Sequence, residues 1–172
     1  VVTLGEIDLS FPSIVGITSL TFGMLLTSTD GNFFVSFALA TALGMFAGLV
    51  NGLLVTKIGI PSIVATIGTL FFWRGLVNVI SQGSGIAIVD EADGTWHHMI
   101  FVDKLFNLIP AQFIWFVVLT GLMQWVYRYH RFGNHIHFVG DNKASAQMMG
   151  IDVDRVKIIA FVQLGFFSAL AG

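Results

Sequence analysis

The sequence predicts an all-α, polytopic membrane protein, and three observations predict it. Of its 172 residues, 55% are hydrophobic and only 10% charged, against roughly 25% charged in a soluble domain. Charge-free runs cover Leu9–Thr29 (21 residues), Gly31–Thr56 (26) and Leu105–Tyr127 (23), each long enough to cross about 30 Å of hydrocarbon at about 1.5 Å per residue. The Lys and Arg residues also fall mostly between apolar runs, on alternate connections. Together these give a single transmembrane domain over residues 1–172 with about five helices, spans being expected at about 11–29, 33–56, 62–80, 110–127 and 156–172.

Each element has a local reason. The first span has Ser10 as a candidate N-cap and Pro12 in its first turn, where a missing N–H does no harm. Asp30-Gly31-Asn32 reads as a tight turn. The second span carries Ala40, Gly44, Gly48 and Gly52 at every fourth position, a nearly bare stripe against which another helix can pack closely. Pro61 suits the start of the third span. From 81 to 107 the pattern breaks into Gly83-Ser84-Gly85, an acidic stretch (Asp90, Glu91, Asp93) and short apolar patches, read as a loop on the membrane surface with room for an interfacial helix. Pro110 opens the fourth span, with Trp115, Trp125 and Tyr127 as candidate interfacial anchors. A polar loop at 128–155 precedes the fifth.

One side of this arrangement collects Lys57, Arg128, Arg131, Lys143, Arg155 and Lys157, and the other only Lys104. The positive-inside rule makes the first side cytoplasmic and turns the loop at 81–107 outward. No start methionine or signal-peptide pattern stands at Val1, and Gly172 falls inside an apolar run, so the chain is expected to be a piece of a longer protein. A net charge of −2 without clustered Lys and Arg argues against nucleic-acid binding. The absence of cysteine removes thiol catalysis and thiolate metal sites.

No lysine is followed by Ser or Thr, so the GxxxxGK[ST] phosphate cradle is absent and ATP-driven work would need a partner chain. Within the spans proper, away from their ends, Arg74 is the one charged residue, accompanied by Asn51, Thr66, Thr69, Asn78 and Gln82. It lies about 18 Å beyond Ser62, which leaves two readings: snorkelling or pairing at a helix end, or facing a water-filled path. Asn51, beside Gly48 and Gly52, is either interhelical glue or a solute contact. Glu6 and Asp8 follow apolar Val1–Leu4, so Gly5–Pro12 reads either as a break between half-helices at membrane depth or as a polar surface cap. His130, His135 and His137 share one loop and His97-His98 another, yet without cysteine or an evident scaffold no metal site is expected.

Three blocks together resemble the membrane-spanning permease subunits of bacterial ATP-binding-cassette importers of the ribose/xylose type. Gly5-Glu6-Ile7-Asp8-Leu9-Ser10 is similar to the family's GGIDLS, with Glu6 in place of a glycine. Gly48-Leu49-Val50-Asn51-Gly52-Leu53-Leu54, Pro61, Ala65-Thr66-Ile67-Gly68-Thr69-Leu70 and Arg74-Gly75 resemble GxxNGLL…P…ATLGTL…RG. Phe132-Gly133, Gly140-Asp141-Asn142 and Ala144–Ile151 look like FGR…GGN..EAA…GI, with Ala144 where glutamate is frequent and Asn134 where arginine is usual.

The resemblance implies a transporter subunit, not an enzyme, in the bacterial inner membrane. No cofactor is implied on this chain, since ATP and Mg sit on the partner ATPase. The implied partners are ATPase subunits, a periplasmic substrate-binding protein, a second permease copy in a homodimer and the lipid bilayer. Ala144, Ser145, Ala146 and Gly150 become the surface coupling to the ATPase, small enough for close docking. Asp8, Ser10, Asn51, Thr66, Thr69 and Arg74 become candidates for the translocation path. A monosaccharide is the first solute implied; a branched-chain amino acid, with the same fold, and an ion-coupled secondary carrier are the alternatives.

Overall fold

A computed structural model describes residues 1–28, 32–85, 96–105 and 109–172. The Asp30-Gly31 turn and the acidic stretch Asp90, Glu91 and Asp93 lie outside the described residues. A short 3-10 turn, Val2–Leu4, ends on Gly5 in a left-handed conformation (φ 73°). Then follow α1 (Phe11–Ser28), α2 (Phe33–Leu53, prolonged by a π turn over Leu54–Ile58) and α3 (Ser62–Ser81). After them come α4 (Trp96–Phe101), α5 (Ala111–Tyr129), α6 (Arg131–Asp141), α7 (Lys143–Met148) and α8 (Val153–Ala171). The described strands are Lys104–Leu105 and Ile109–Pro110, paired antiparallel.

Among the described residues, three helices are long and apolar enough to cross a membrane: Phe11–Ser28, Phe33–Ile58 and Ser62–Ser81. Helices α5 and α8 have 19 residues each and coincide with the fourth and fifth expected spans, but are less apolar. Helix α8 begins earlier than the apolar run, because Asp152 caps it by accepting from the Arg155 N–H at 3.0 Å. Its first turns therefore hold Asp154, Arg155 and Lys157.

The bundle is centred on α2 and α8, with α1 against both and α3 against α1. The small-residue stripe of α2 meets α8. A Cβ at Gly44 would lie 2.6 Å from the Gly165 carbonyl oxygen, one at Gly48 would overlap that of Phe161, and one at Gly52 would lie 3.0 Å from the Ile158 Cα. Ala40, one turn earlier, is also buried. Close approach of this kind drives helix association in lipid, where water expulsion contributes little. Helix α5 contacts mainly α4 and α6 and leaves an apolar groove of about 1020 Å³ lined by Phe37, Trp115, Phe116, Met123, Phe167 and Leu170.

The expected polar loop at 128–155 is instead two helices. Helix α6 buries Gly133, Ile136 and Val139 along one stripe, a helical period too dilute in apolar residues to register as a hydrophobic run. Its cap is His130, whose Nδ1 accepts from the Phe132 N–H at 3.2 Å. Leu4, Ile136, Val139, Ala146, Val153, Val156 and Ala160 form one apolar cluster beneath α6, α7 and the N-terminal turn.

Candidate functional site: a buried polar knot and an exposed short helix

Residues 6–10 are non-helical and alternate: Glu6, Asp8 and Ser10 are buried while Ile7 and Leu9 are exposed. A period of two is that of extended backbone. Polar residues inside and apolar ones outside suit a lipid surround, where polar groups need internal partners. The non-helical stretch at Gly5–Ser10 separates the Val2–Leu4 turn from α1.

Its partners come from two helices. The Ile7 N–H donates to the Ser62 Oγ and the Leu9 N–H to the Thr66 Oγ1, both at 3.2 Å. The Thr66 hydroxyl in turn donates to the Ser62 carbonyl at 2.7 Å. The Asp8 Oδ1 accepts from the Ser10 N–H at 2.7 Å and the Ser10 hydroxyl at 2.6 Å. Asn51 Nδ2 donates to Ser10 Oγ at 2.7 Å and to Asp8 Oδ2 at 3.2 Å, and Asn51 Oδ1 accepts from the Thr69 hydroxyl at 2.7 Å. Ser10 is therefore not a side-chain N-cap for α1. Its hydroxyl serves Asp8 and Asn51, and only its carbonyl joins the helix, accepting from Ser13 and Ile14 N–H.

Ser62, Thr66, Thr69 and Trp73 form one buried stripe of α3, spaced as one helix face. Asn51 lies about 10 Å before the end of the prolonged α2, and Thr66 and Thr69 about 6 and 10 Å after the start of α3. The knot therefore sits about 10 Å inside one end of the bundle. It gathers five of the six path candidates, Asp8, Ser10, Asn51, Thr66 and Thr69. Arg74 is set apart: it is exposed, off the buried stripe and flanked by exposed Phe71 and Phe72.

At the same end of the bundle the basic side chains meet acids. Lys57 pairs with Asp154 at 2.9 Å, and Glu6 is approached by Lys157 at 2.5 Å and Lys143 at 3.4 Å. Burial opposes ionisation of Glu6, but hydrogen bonds from Lys157 and Ser62 and the charges of Lys157 and Lys143 outweigh it, so its pKa lies below the ordinary carboxylate value. Sequence reasoning singled out neither lysine as its partner. They lie 137 and 151 residues away, and nothing local signals a contact at that separation.

Helix α7 holds the expected coupling residues. The Asn142 side chain caps it, accepting from the Ser145 N–H at 3.0 Å. Gly150 closes it at φ 80°, with the Gly150 N–H on the Gln147 carbonyl and the Ile151 N–H on that of Ala146, a left-handed helix end. Ala144, Ser145 and Gly150 are exposed. Ala146 is not part of that surface: at 1% exposure it is the anchor that seats α7 on the apolar cluster. About half a turn of helix separates the inward Ala146 from the outward Ala144, which composition alone does not reveal. Met148 (89% exposed) and Met149 (61%) extend the free surface, and sequence reasoning passed over both. Among the described residues no group of His, Asp or Glu is arranged to hold a metal. His130 is a helix cap, and the His137 ring packs on Tyr127 at 4.4 Å between centroids.

Residues 1–172 match the family model described as branched-chain amino acid transport system / permease component. Among curated proteins, the chain is similar to the autoinducer 2 import system permease protein LsrC of Photorhabdus luminescens, 34% identical over 167 residues, or 97% of this chain and 49% of that protein. It is also similar to the LsrC proteins of Yersinia pseudotuberculosis serotype O:3 (strain YPIII) and Yersinia pestis (strain Pestoides F), each 35% identical over 97% of this chain and 46% of the relative. The chain spans about half the length of these curated relatives. No solved structure matches it.

Proposed function

The chain belongs to the family of branched-chain amino acid transport system permease components, and from that premise we propose that it forms the membrane-spanning part of an ATP-driven, binding-protein-dependent importer in the bacterial inner membrane. The observation that carries the reading is α7, a helix of six residues capped at both ends and seated by Ala146, with Ala144, Ser145, Met148, Met149 and Gly150 exposed beyond it. Small side chains allow close approach to a cleft, and methionines adapt to its apolar walls. An ATPase partner, carrying ATP and Mg, docks there and moves α7. A second permease copy completes the pathway, and a soluble binding protein delivers the solute from the other side.

The solute we propose is a monosaccharide of the ribose/xylose kind. A branched-chain amino acid is the second reading, favoured by the description of the family; the relatives are named for import of autoinducer 2. Uptake of labelled ribose, xylose, autoinducer 2 and leucine by the full-length protein, in cells with and without its ATPase partner, tests the proposal. Partner-dependent uptake of a sugar supports it, and partner-dependent uptake of leucine replaces the solute. Uptake that survives loss of the ATPase overturns it in favour of an ion-coupled carrier.

A further inference from the structure

Glu6 is a buried carboxylate that the transport reading does not use. It is 7% exposed, and its Oε1 is reached by ammonium groups from two elements, Lys157 in the second turn of α8 and Lys143 at the first position of α7. Lys157 is itself 9% exposed. In the sequence block that this segment resembles a glycine takes the place of Glu6, so the carboxylate is a property of this chain and not of the block.

Two residues further on, Asp8 is bound into the knot by Ser10 and Asn51. The backbone between them is non-helical and pinned to α3 by the Ile7 N–H on the Ser62 Oγ and the Leu9 N–H on the Thr66 Oγ1. A pull on Glu6 therefore bears on α3 as well as on the knot. The load path is continuous from Lys143 to Glu6, from Glu6 to Asp8 and Ser10, and from these to Asn51 on α2 and Thr69 on α3.

We propose that Glu6 is a positioning residue which, through Lys143, ties the α7 helix to the Glu6–Ser10 segment while Lys157 of α8 holds its carboxylate in place, so that displacement of α7 is delivered to the buried polar knot. This rests on the reading of α7 as the ATPase docking helix. Coupling between distant sites requires contacts that both sites bias, and here they consist of one ion-pair cluster and one stretch of backbone pinned to α3.

The test uses the full-length protein reconstituted in vesicles with its ATPase and binding protein, with labelled ribose and labelled autoinducer 2 as probes, uptake and ATP hydrolysis being measured in the same vesicles. Glu6→Gln keeps the shape and removes the charge. The expected result is hydrolysis within about twofold of the parent and uptake per ATP reduced at least about fivefold, the lower end of ordinary allosteric coupling. Lys143→Gln, which cuts the arm to α7 and leaves the Lys157 pair in place, is expected to lower uptake per ATP as Glu6→Gln does. Unchanged uptake per ATP in Glu6→Gln overturns the proposal. So does an unchanged ratio in Lys143→Gln, or a parallel fall of uptake, hydrolysis and protein abundance in Glu6→Gln, because either marks a purely structural ion pair. If the unmutated protein shows no ATPase-dependent uptake of these probes or of labelled leucine, the docking reading itself fails and the proposal falls with it.

Discussion

The polar knot and the α7 helix lie toward the same end of the molecule and are built on opposite plans. In the knot, Asn51 uses both its amide nitrogen and its oxygen on buried partners from two other elements. In α7, a single buried alanine, one asparagine cap, one glycine closure and the Lys143–Glu6 pair hold six residues whose other side chains are exposed. A buried polar network allows one arrangement, since every unpaired member is costly. A helix seated on one alanine and one ion pair can be gripped from outside, and its movement reaches the knot through that pair. The difference separates a part built to keep its geometry from a part built to be handled.

Substitutions that break this contrast should spread over several kcal/mol. Asn51→Leu leaves the Asp8 carboxylate, the Ser10 hydroxyl and the Thr69 hydroxyl short of partners in a dry site. It should cost about 3–5 kcal/mol, as removal of one partner from a buried charged network does, read as loss of the folded fraction in detergent. Gly150→Val has room, since nothing lies within 4 Å of a Cβ there, but it forces a β-branched residue to φ 80°. About 1–2 kcal/mol is expected, with uptake falling more than stability. Asn142→Ala removes the α7 cap at about 1 kcal/mol, measurable as faster amide exchange confined to residues 143–149. Ala144→Glu, which installs the residue frequent in the resembling family, should leave stability within about 0.5 kcal/mol and alter only capture of the ATPase partner. A melting shift in Ala144→Glu as large as that of Asn51→Leu would erase the distinction between the two regions.

Much of the fold was legible because lipid enforces long apolar runs. The starts of α1, α2 and α3 stand where Pro12, Asn32 and Pro61 suggest, Asn32 capping α2 by accepting from the Val35 N–H. Helix α6 was missed because its inward stripe of Gly133, Ile136 and Val139 is interleaved with His, Asn and Asp. The knot was half legible. Its members were singled out as path candidates, but their mutual bonds depend on the alternation of residues 6–10, too short to stand out beside 20-residue helices. The partner of the α2 stripe had a signal that went unused: Gly165 and Ala169 repeat the four-residue spacing of small residues in the last helix.

That seam carries a consequence for genetics. At Gly44 and Gly48 the obstacles to a side chain include the Gly165 and Phe161 carbonyl oxygens, and at Gly165 the obstacle is Gly44 backbone. Backbone atoms are the same whatever residue bears them. No replacement on α8 can make way for a larger residue at Gly48, whose obstacles are all Phe161 and Val162 backbone, so defects there should yield true revertants but no compensating changes across the seam. Defects at Glu6 have side chains as partners and should yield suppressors at Lys157. A collection of spontaneous revertants would thus sort the contacts of α8 into those fixed by main chain and those open to exchange.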